Sequence, residues 1–228
     1  MSSFLNTFLF GAFPYIAIGS MIFGSILRYD RDPYSWKADS SQIMSKKYFR
    51  LGSNLFHVGI ILLFFGHLVG LLTPHWVYEP FITAEQKQIL AMTAGGIFGT
   101  MTFFGMVILI WRRLGNDRVR STTRFMDLAI LLLLFVQLIL GLLTIPESAK
   151  HLEGATSMIA LAHWAQGIVT FRPDVAAEIA HEHWIFKAHI LLGLTIFLIF
   201  PFTRLVHIFS APIKYLVRSG YQIVRKRG

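Results

Sequence analysis

The chain has 228 residues, of which 54% are hydrophobic and 14% charged; its formal net charge is +9 and its mean hydropathy is +0.58. A soluble domain usually carries about 25% charged residues, so this composition predicts a protein embedded in lipid and argues against a nucleic-acid-binding domain, which presents a basic face on a mostly polar chain. The chain has no cysteine, which excludes disulfides, c-type haem attachment and cysteine-ligated iron–sulfur clusters within it.

Five segments are long and apolar enough to cross a bilayer, since a transmembrane helix needs about 20 mostly apolar residues. The first lacks the basic region and the small-residue cleavage site of a secretory signal, so we interpret it as a retained helix. The fourth contains only Asp127, and the fifth has Lys187 and Arg204 near its ends. The predicted helices span residues 4–27, 51–74, 88–111, 125–145 and 184–209.

A backbone in lipid must satisfy its hydrogen bonds internally, so these segments are helices. We therefore predict an all-α integral membrane protein, a five-helix transmembrane bundle that forms one domain over residues 1–228 and ends in a basic tail, residues 210–228. Residues 147–183 form a long connection, and such connections are often functional. Within it, residues 155–171 predict a short amphipathic or interfacial helix with Trp164 as an anchor at the membrane surface.

The basic residues are unevenly distributed and predict an orientation. Most of the 21 Lys and Arg residues lie between the first and second helices, between the third and fourth, and at the C-terminal end. Only Lys87, Lys150, Arg172 and Lys187 lie on the other side. The positive-inside rule therefore puts the N-terminus outside and the C-terminus in the cytoplasm. The basic loops predict contact with anionic lipid headgroups or with a cytoplasmic partner.

Four histidines lie inside the predicted spans, where ionisable residues are costly and are candidates for function. His57 and His67 lie on the second helix, and His189 and His207 lie on the fifth. At about 100° per residue, five full turns separate His189 from His207 and put them on one face, while His57 and His67 are about 80° from alignment. Because the two helices are antiparallel, His57 pairs with His207 on the inner side and His67 with His189 on the outer side. Each pair can supply two axial ligands to one haem iron.

The spacing of the two pairs does not match perfectly. The separations correspond to rises of about 15 Å on the second helix and about 27 Å on the fifth. We expect helix tilt, or a kink at Pro201, to absorb the difference. The glycines that flank the ligands leave room for a porphyrin or for helix packing; they are Gly59, Gly66, Gly70 and Gly193.

A metal site without haem is the alternative interpretation of the four histidines, but it would gather its ligands at one depth. The other five histidines are poorer candidates. His181 and His183 form a His-x-His pair that could bind zinc, although solvated or capping roles suit them better.

A membrane haem pair accepts one electron at a time and needs a lipid-soluble donor, for which a quinol is suited. Lys87 begins the third helix, close in depth to His67, and could donate a hydrogen bond to a quinone oxygen. The alternative is an interfacial lysine that extends its ammonium group to water.

Several long motifs resemble the gamma subunit of respiratory nitrate reductase, and the resemblance spans nearly the whole chain. They occur in order as SNLFH, GHLVGLLTPHW, RVRSTT, GLLTIP and FPFTRLVH, with LRYD and SSQ nearer the N-terminus. The resemblance implies a multi-pass protein of the bacterial inner membrane with two b haems. It implies His57 and His207 as ligands of the proximal haem, and His67 and His189 as ligands of the distal haem.

The resemblance also implies partners and a substrate. Menaquinol or ubiquinol is oxidised near the periplasmic face, with Lys87, Gly66 and His67 at the quinol site. Electrons pass from the distal to the proximal haem and then to an iron–sulfur beta subunit. A molybdenum alpha subunit reduces nitrate in the cytoplasm, so no residue of this chain is expected to be catalytic for nitrate.

Two other functions make different predictions. The cytochrome b of another quinone-linked enzyme, such as a formate dehydrogenase or a hydrogenase, would share the haem ligands but not the whole-chain motif match. A transporter or channel would line a path through several helices with polar residues, whereas here buried charge is scarce and histidines dominate.

Overall fold

The computed structural model describes residues 3–36 and 48–210, and every regular element within those ranges is helical. Five helices are long and apolar enough to cross a membrane, which confirms the all-α, five-helix prediction. The predicted basic tail, residues 210–228, lies outside the described residues apart from Ser210. The elements are α1 (Phe4–Arg31), α2 (Phe49–Leu72), α3 (Ala84–Gly115), α4 (Phe125–Ala149), α5 (Thr156–Val169) and α6 (Trp184–Ile199).

Local signals decide where the helices begin and end. Thr83 and Gln86 form a reciprocal capping box at the start of α3, so this helix begins before the apolar run does. At the same end of the bundle, α2 stops at Leu72, two residues before Pro74. Apolar composition therefore located the membrane-embedded part of each helix, whereas caps and prolines set the ends.

The first helix is interrupted by two π-helical turns, Phe8–Ala12 and Ser20–Gly24. Such turns have backbone hydrogen bonds between residues five apart rather than four. In the first turn the carbonyl oxygen of Phe10 accepts a hydrogen bond of 2.8 Å from the indole Nε1 of Trp164. This bond ties α1 to α5 at the end of the bundle that carries residues 147–183, which we call the outer end.

The predicted fifth helix, residues 184–209, is wrong from residue 200 onward. The α-helix ends at Ile199, and the chain continues as two 3₁₀ segments, Phe200–Phe202 and Arg204–Ser210. Pro201 has no N–H to donate, and its ring would clash with the carbonyl one turn earlier in a continuous helix. Thr203, between the two segments, is fully extended with φ −112° and ψ 175°. His207 therefore lies on the second 3₁₀ segment rather than on α6.

The spanning helices follow one another around the bundle in the order α2, α3, α4, α6, α1. Glycine allows the closest of these approaches: a Cβ added at Gly59 of α2 would lie 2.1 Å from the hydroxyl of Thr102 on α3. In this order α2 and α6 are separated by α3 and α4, so the helices that carry His67 and His189 face each other across the bundle rather than packing side by side.

The outer connection closes one end of the bundle. Trp164 is 8% exposed and packs with Phe10, Ile168, Val175 and Ile179 in a hydrophobic cluster. The interpretation of Trp164 as a surface anchor is therefore wrong, because the indole is buried and its N–H donates to a backbone carbonyl oxygen of α1. Instead of lying on the membrane, α5 packs on the outer ends of α1 and α2.

Candidate haem and quinol sites

The outer histidine pair is brought together by α2 and α6. The ring centroids of His67 and His189 lie 6.1 Å apart, and the two ring planes are tilted by 35°. With each metal–imidazole bond at about 2 Å, two axial rings on one metal ion have centroids about 6 Å apart. The separation of these two side chains therefore fits a bis-imidazole haem site.

All four candidate ligands direct Nδ1 at a backbone carbonyl oxygen. Because a carbonyl oxygen only accepts, each Nδ1 carries a proton, and in the neutral ring Nε2 then keeps its lone pair. This is the tautomer in which an imidazole can bind a metal through Nε2, and the carbonyl fixes the orientation of the ring. The bonds are His57 to Ser53 (2.7 Å), His67 to Leu63 (2.8 Å), His189 to Gln137 (3.2 Å) and His207 to Arg204 (2.5 Å).

The inner pair is arranged differently. His57 lies on the first half of α2 and is exposed, and His207 lies beyond the end of α6 on a 3₁₀ segment. No contact between these two rings occurs among those of the described residues. The helical-wheel argument that put His189 and His207 on one face is wrong, because the chain between them is not a continuous helix.

A third helix supports the outer pair from the side. The side-chain amide of Gln137 on α4 donates a 3.0 Å hydrogen bond to the backbone carbonyl oxygen of His189, and the backbone carbonyl oxygen of Gln137 accepts from the imidazole Nδ1 of His189. One turn further along α4, the imidazole of His189 lies close to the backbone of Gly141. Glycine is required there, because an added Cβ would lie 2.9 Å from Cε1 of His189. The sequence reasoning missed Gln137, although a lone amide in an apolar span is the kind of signal that marks it.

Lys87 is buried at the outer end of the bundle, with 8% of its surface exposed. Its ammonium group donates a 3.4 Å hydrogen bond to the carbonyl oxygen of Thr73 and lies 3.9 Å from the ring centroid of Tyr78. Thr73 directly follows α2, the helix that carries Gly66 and His67, and Tyr78 lies in the short helical turn His75–Tyr78 that comes next. The structure thus brings Lys87 to the outer end of that helix, and contacts from Lys87 to Gly66 or His67 are not among those formed in the described chain.

Two further features lie on α2 and in the segment between α2 and α3. A Cβ added at Gly66 would meet no atom within 4 Å, so the backbone of α2 is open to an approaching group there. Burial, together with the carboxylates of Glu79 and Glu85, raises the pKa of the Tyr78 hydroxyl above its ordinary value. The phenol therefore stays neutral throughout the physiological pH range.

The alternative metal sites gain no support. The described residues contain no group of three or more His, Cys, Asp or Glu side chains that could hold a metal ion. His183 instead caps α6, where its Nδ1 accepts a 3.4 Å hydrogen bond from the backbone N–H of Ile185. The capping role expected of this His-x-His segment is confirmed for His183.

Comparison with known proteins gives a consistent set of matches. A family model described as nitrate reductase gamma subunit matches residues 6–227. The chain is 50% identical over 224 residues to respiratory nitrate reductase 1 gamma chain of Escherichia coli K12, covering 98% of this chain and 99% of that protein. It is 48% identical over 227 residues to the respiratory nitrate reductase 2 gamma chain of the same organism, covering all of both. It is also 39% identical over 222 residues to the nitrate reductase gamma chain of Bacillus subtilis 168, covering 96% of this chain and 97% of that one.

Proposed function

The chain belongs to the nitrate reductase gamma subunit family, and from this premise we propose that it is the membrane cytochrome b subunit of a respiratory nitrate reductase. In this function it oxidises quinol near the periplasmic face and delivers the electrons, by way of two b haems, to the iron–sulfur beta subunit. The single observation that supports this most strongly is the outer pair of imidazoles, His67 and His189, 6.1 Å apart between two transmembrane helices.

We assign the haem ligands by depth. His67 and His189 would hold the distal haem, and His57 and His207 the proximal one. A bound haem supplies reversible one-electron chemistry. The residues of the chain contribute orientation: each Nδ1 is fixed on a backbone carbonyl, so that Nε2 remains available as the ligand atom.

The quinol site would lie beside the outer pair, at Lys87, Gly66 and His67. One N–H of the Lys87 ammonium group is used on the carbonyl of Thr73, which leaves two donors for a quinone oxygen. The absence of a side chain at Gly66 lets a flat ring approach the backbone of α2. The Tyr78 ring lies against the ammonium group and helps to fix its direction.

The basic loops define the cytoplasmic side in this proposal, with the N-terminus in the periplasm and the C-terminus in the cytoplasm. The beta and molybdenum-containing alpha subunits dock on that side, and anionic lipid contacts the same loops. Quinol oxidation on the opposite side releases protons outside, so that electron transfer inward is electrogenic.

The experiment is a reduced-minus-oxidised spectrum of the purified complex, with haem and chain quantified together. We expect two b haems per chain, and one after His67→Ala, with loss of quinol oxidation. His181→Ala is the matched control, because it removes an exposed histidine on the same side of the bundle. A His67→Ala complex that retains both haems would overturn the assignment. Co-purification with a formate-oxidising or hydrogen-oxidising partner, without nitrate reduction, would favour the other quinone-linked cytochromes.

A further inference from the structure

The end of α6 leaves backbone carbonyls without their usual helical partners, and α1 supplies donors to them. The hydroxyl of Ser20 donates a 2.8 Å hydrogen bond to the carbonyl oxygen of Leu198. Nη1 of Arg28 donates to the carbonyl oxygens of Pro201 and Thr203, at 2.6 and 2.8 Å. Because an unpaired buried carbonyl is costly, these contacts stabilise the break itself.

Arg28 is held from its other side as well. Its Nε donates to the hydroxyl of Ser35 at 3.1 Å, and its Nη2 donates to the carbonyl oxygen of Ser35 at 2.7 Å. The guanidinium group thus joins Ser35, in the turn after α1, to Pro201 and Thr203, where the chain changes direction after α6. A planar group with several fixed donors is suited to such a contact, and a single ammonium group is not.

A second contact holds the far end of the same segment. Nε1 of Trp36 donates a 2.6 Å hydrogen bond to the hydroxyl of Ser210, and the Trp36 ring stacks on Phe209 with centroids 6.4 Å apart. His207 therefore lies between two points of attachment, Thr203 on one side and Phe209 with Ser210 on the other. Both attachments come from α1 and the short turn that follows it.

The segment needs this support because a 3₁₀ helix has poorer hydrogen-bond geometry than an α-helix and is rarely stable over long runs. His189 takes its position from a regular helix and from Gln137 beside it, whereas His207 has neither. We infer that Arg28, assisted by Trp36, is a positioning residue for the inner ligand His207. The inference rests on the proposed function, in which His207 binds the proximal haem.

The test compares four variants in the purified complex, measuring the content, the spectrum and the reduction potential of each haem. Arg28→Gln removes the contacts to Pro201 and Thr203, and Arg28→Lys keeps the charge but not the fork of donors. Arg31→Gln is the matched control, because it removes one exposed positive charge from the same end of α1. Trp36→Phe removes the bond to Ser210 and keeps an aromatic ring. Changes to residues behind a metal ligand typically lower affinity about 10- to 100-fold, so we expect Arg28→Gln to lose or perturb the inner haem.

The outer haem reports on folding in the same sample. We expect it to keep its content and potential in all four variants, with partial recovery of the inner haem in Arg28→Lys and a smaller change in Trp36→Phe. An inner haem in Arg28→Gln that is indistinguishable from that in Arg31→Gln would overturn the inference, and so would loss of both haems together. His207→Ala is prepared in parallel: if it retains two haems, the proposed function fails whatever Arg28→Gln does.

Discussion

The outer and inner histidine pairs differ in what holds them. On the outer side, His67 and His189 lie on regular helices, and Gln137 and Gly141 of α4 fit closely around His189. On the inner side, His57 also lies on a regular helix, but His207 lies on a 3₁₀ segment attached to α1 by Arg28 and Trp36. The outer pair depends on helix periodicity and packing, while the inner pair depends on contacts between segments that are far apart in the chain.

The largest expected effect tests the outer pair directly. His189→Ala should remove the distal haem, reduce the b-haem content from two to one per chain, and lower quinol oxidation to background. Loss of a ligand costs more than the roughly 10- to 100-fold affinity change of an outer-shell substitution. Haem content by spectroscopy and quinol–nitrate activity measure both effects. Retention of the distal haem in this variant would show that His67 has a different partner.

The next prediction tests whether α4 supports the outer histidine pair and not the inner one. Gln137→Leu removes the hydrogen bond that joins α4 to the backbone of His189, and we expect about 10-fold or more weaker retention of the outer haem, with the inner haem unchanged. Thr195→Val is the control, because within the described part of the chain the Thr195 hydroxyl bonds only the Leu191 carbonyl of the same helix. If Gln137→Leu lost the two haems equally on mild denaturation, the outer site would not depend on α4 more than the inner site does.

A smaller effect separates quinol binding from haem binding. Lys87→Met keeps the length of the buried side chain and removes its donors, and a hydrogen bond to a charged group contributes about 1.5–3 kcal/mol. We expect a quinol analogue to bind about 10- to 100-fold more weakly, with both haems intact. Lys150→Met, which removes an exposed lysine of the outer connection, should leave the affinity unchanged. An unaltered dissociation constant in Lys87→Met would place the quinol site elsewhere.

The smallest effect concerns the ring beneath Lys87. Tyr78→Phe keeps the ring and should change quinol affinity little, whereas Tyr78→Leu should weaken it by the roughly 1–2 kcal/mol of a partly desolvated cation–π contact. The raised pKa of the Tyr78 hydroxyl keeps it protonated below pH 10, so neither the wild type nor Tyr78→Phe should show a tyrosine titration in the neutral range. A pH profile of quinol oxidation that loses an ionisation in Tyr78→Phe would contradict this.

Much of the architecture follows from the sequence alone. Apolar runs of sufficient length have only one structure available in lipid, which is why five helices could be predicted without any tertiary information. The four candidate histidines were found for the related reason that polar side chains are expensive within predicted spans. Helix ends were less certain, as α3 shows, because a capping box outside the apolar run decides where that helix begins.

Other features were decided only when the chain folded. The indole of Trp164 had two suitable environments in principle; in the folded chain it packs in the core, where its N–H donates to the carbonyl oxygen of Phe10. The fifth span could in principle bend at Pro201 or stop there, and donors from Ser20 and Arg28 stabilise the ending that leaves His207 on a separate segment. Local composition determines which segments enter the membrane, because the cost of burial depends on each residue. The path of the chain after a helix ends depends instead on hydrogen-bond partners that only the tertiary structure brings within reach.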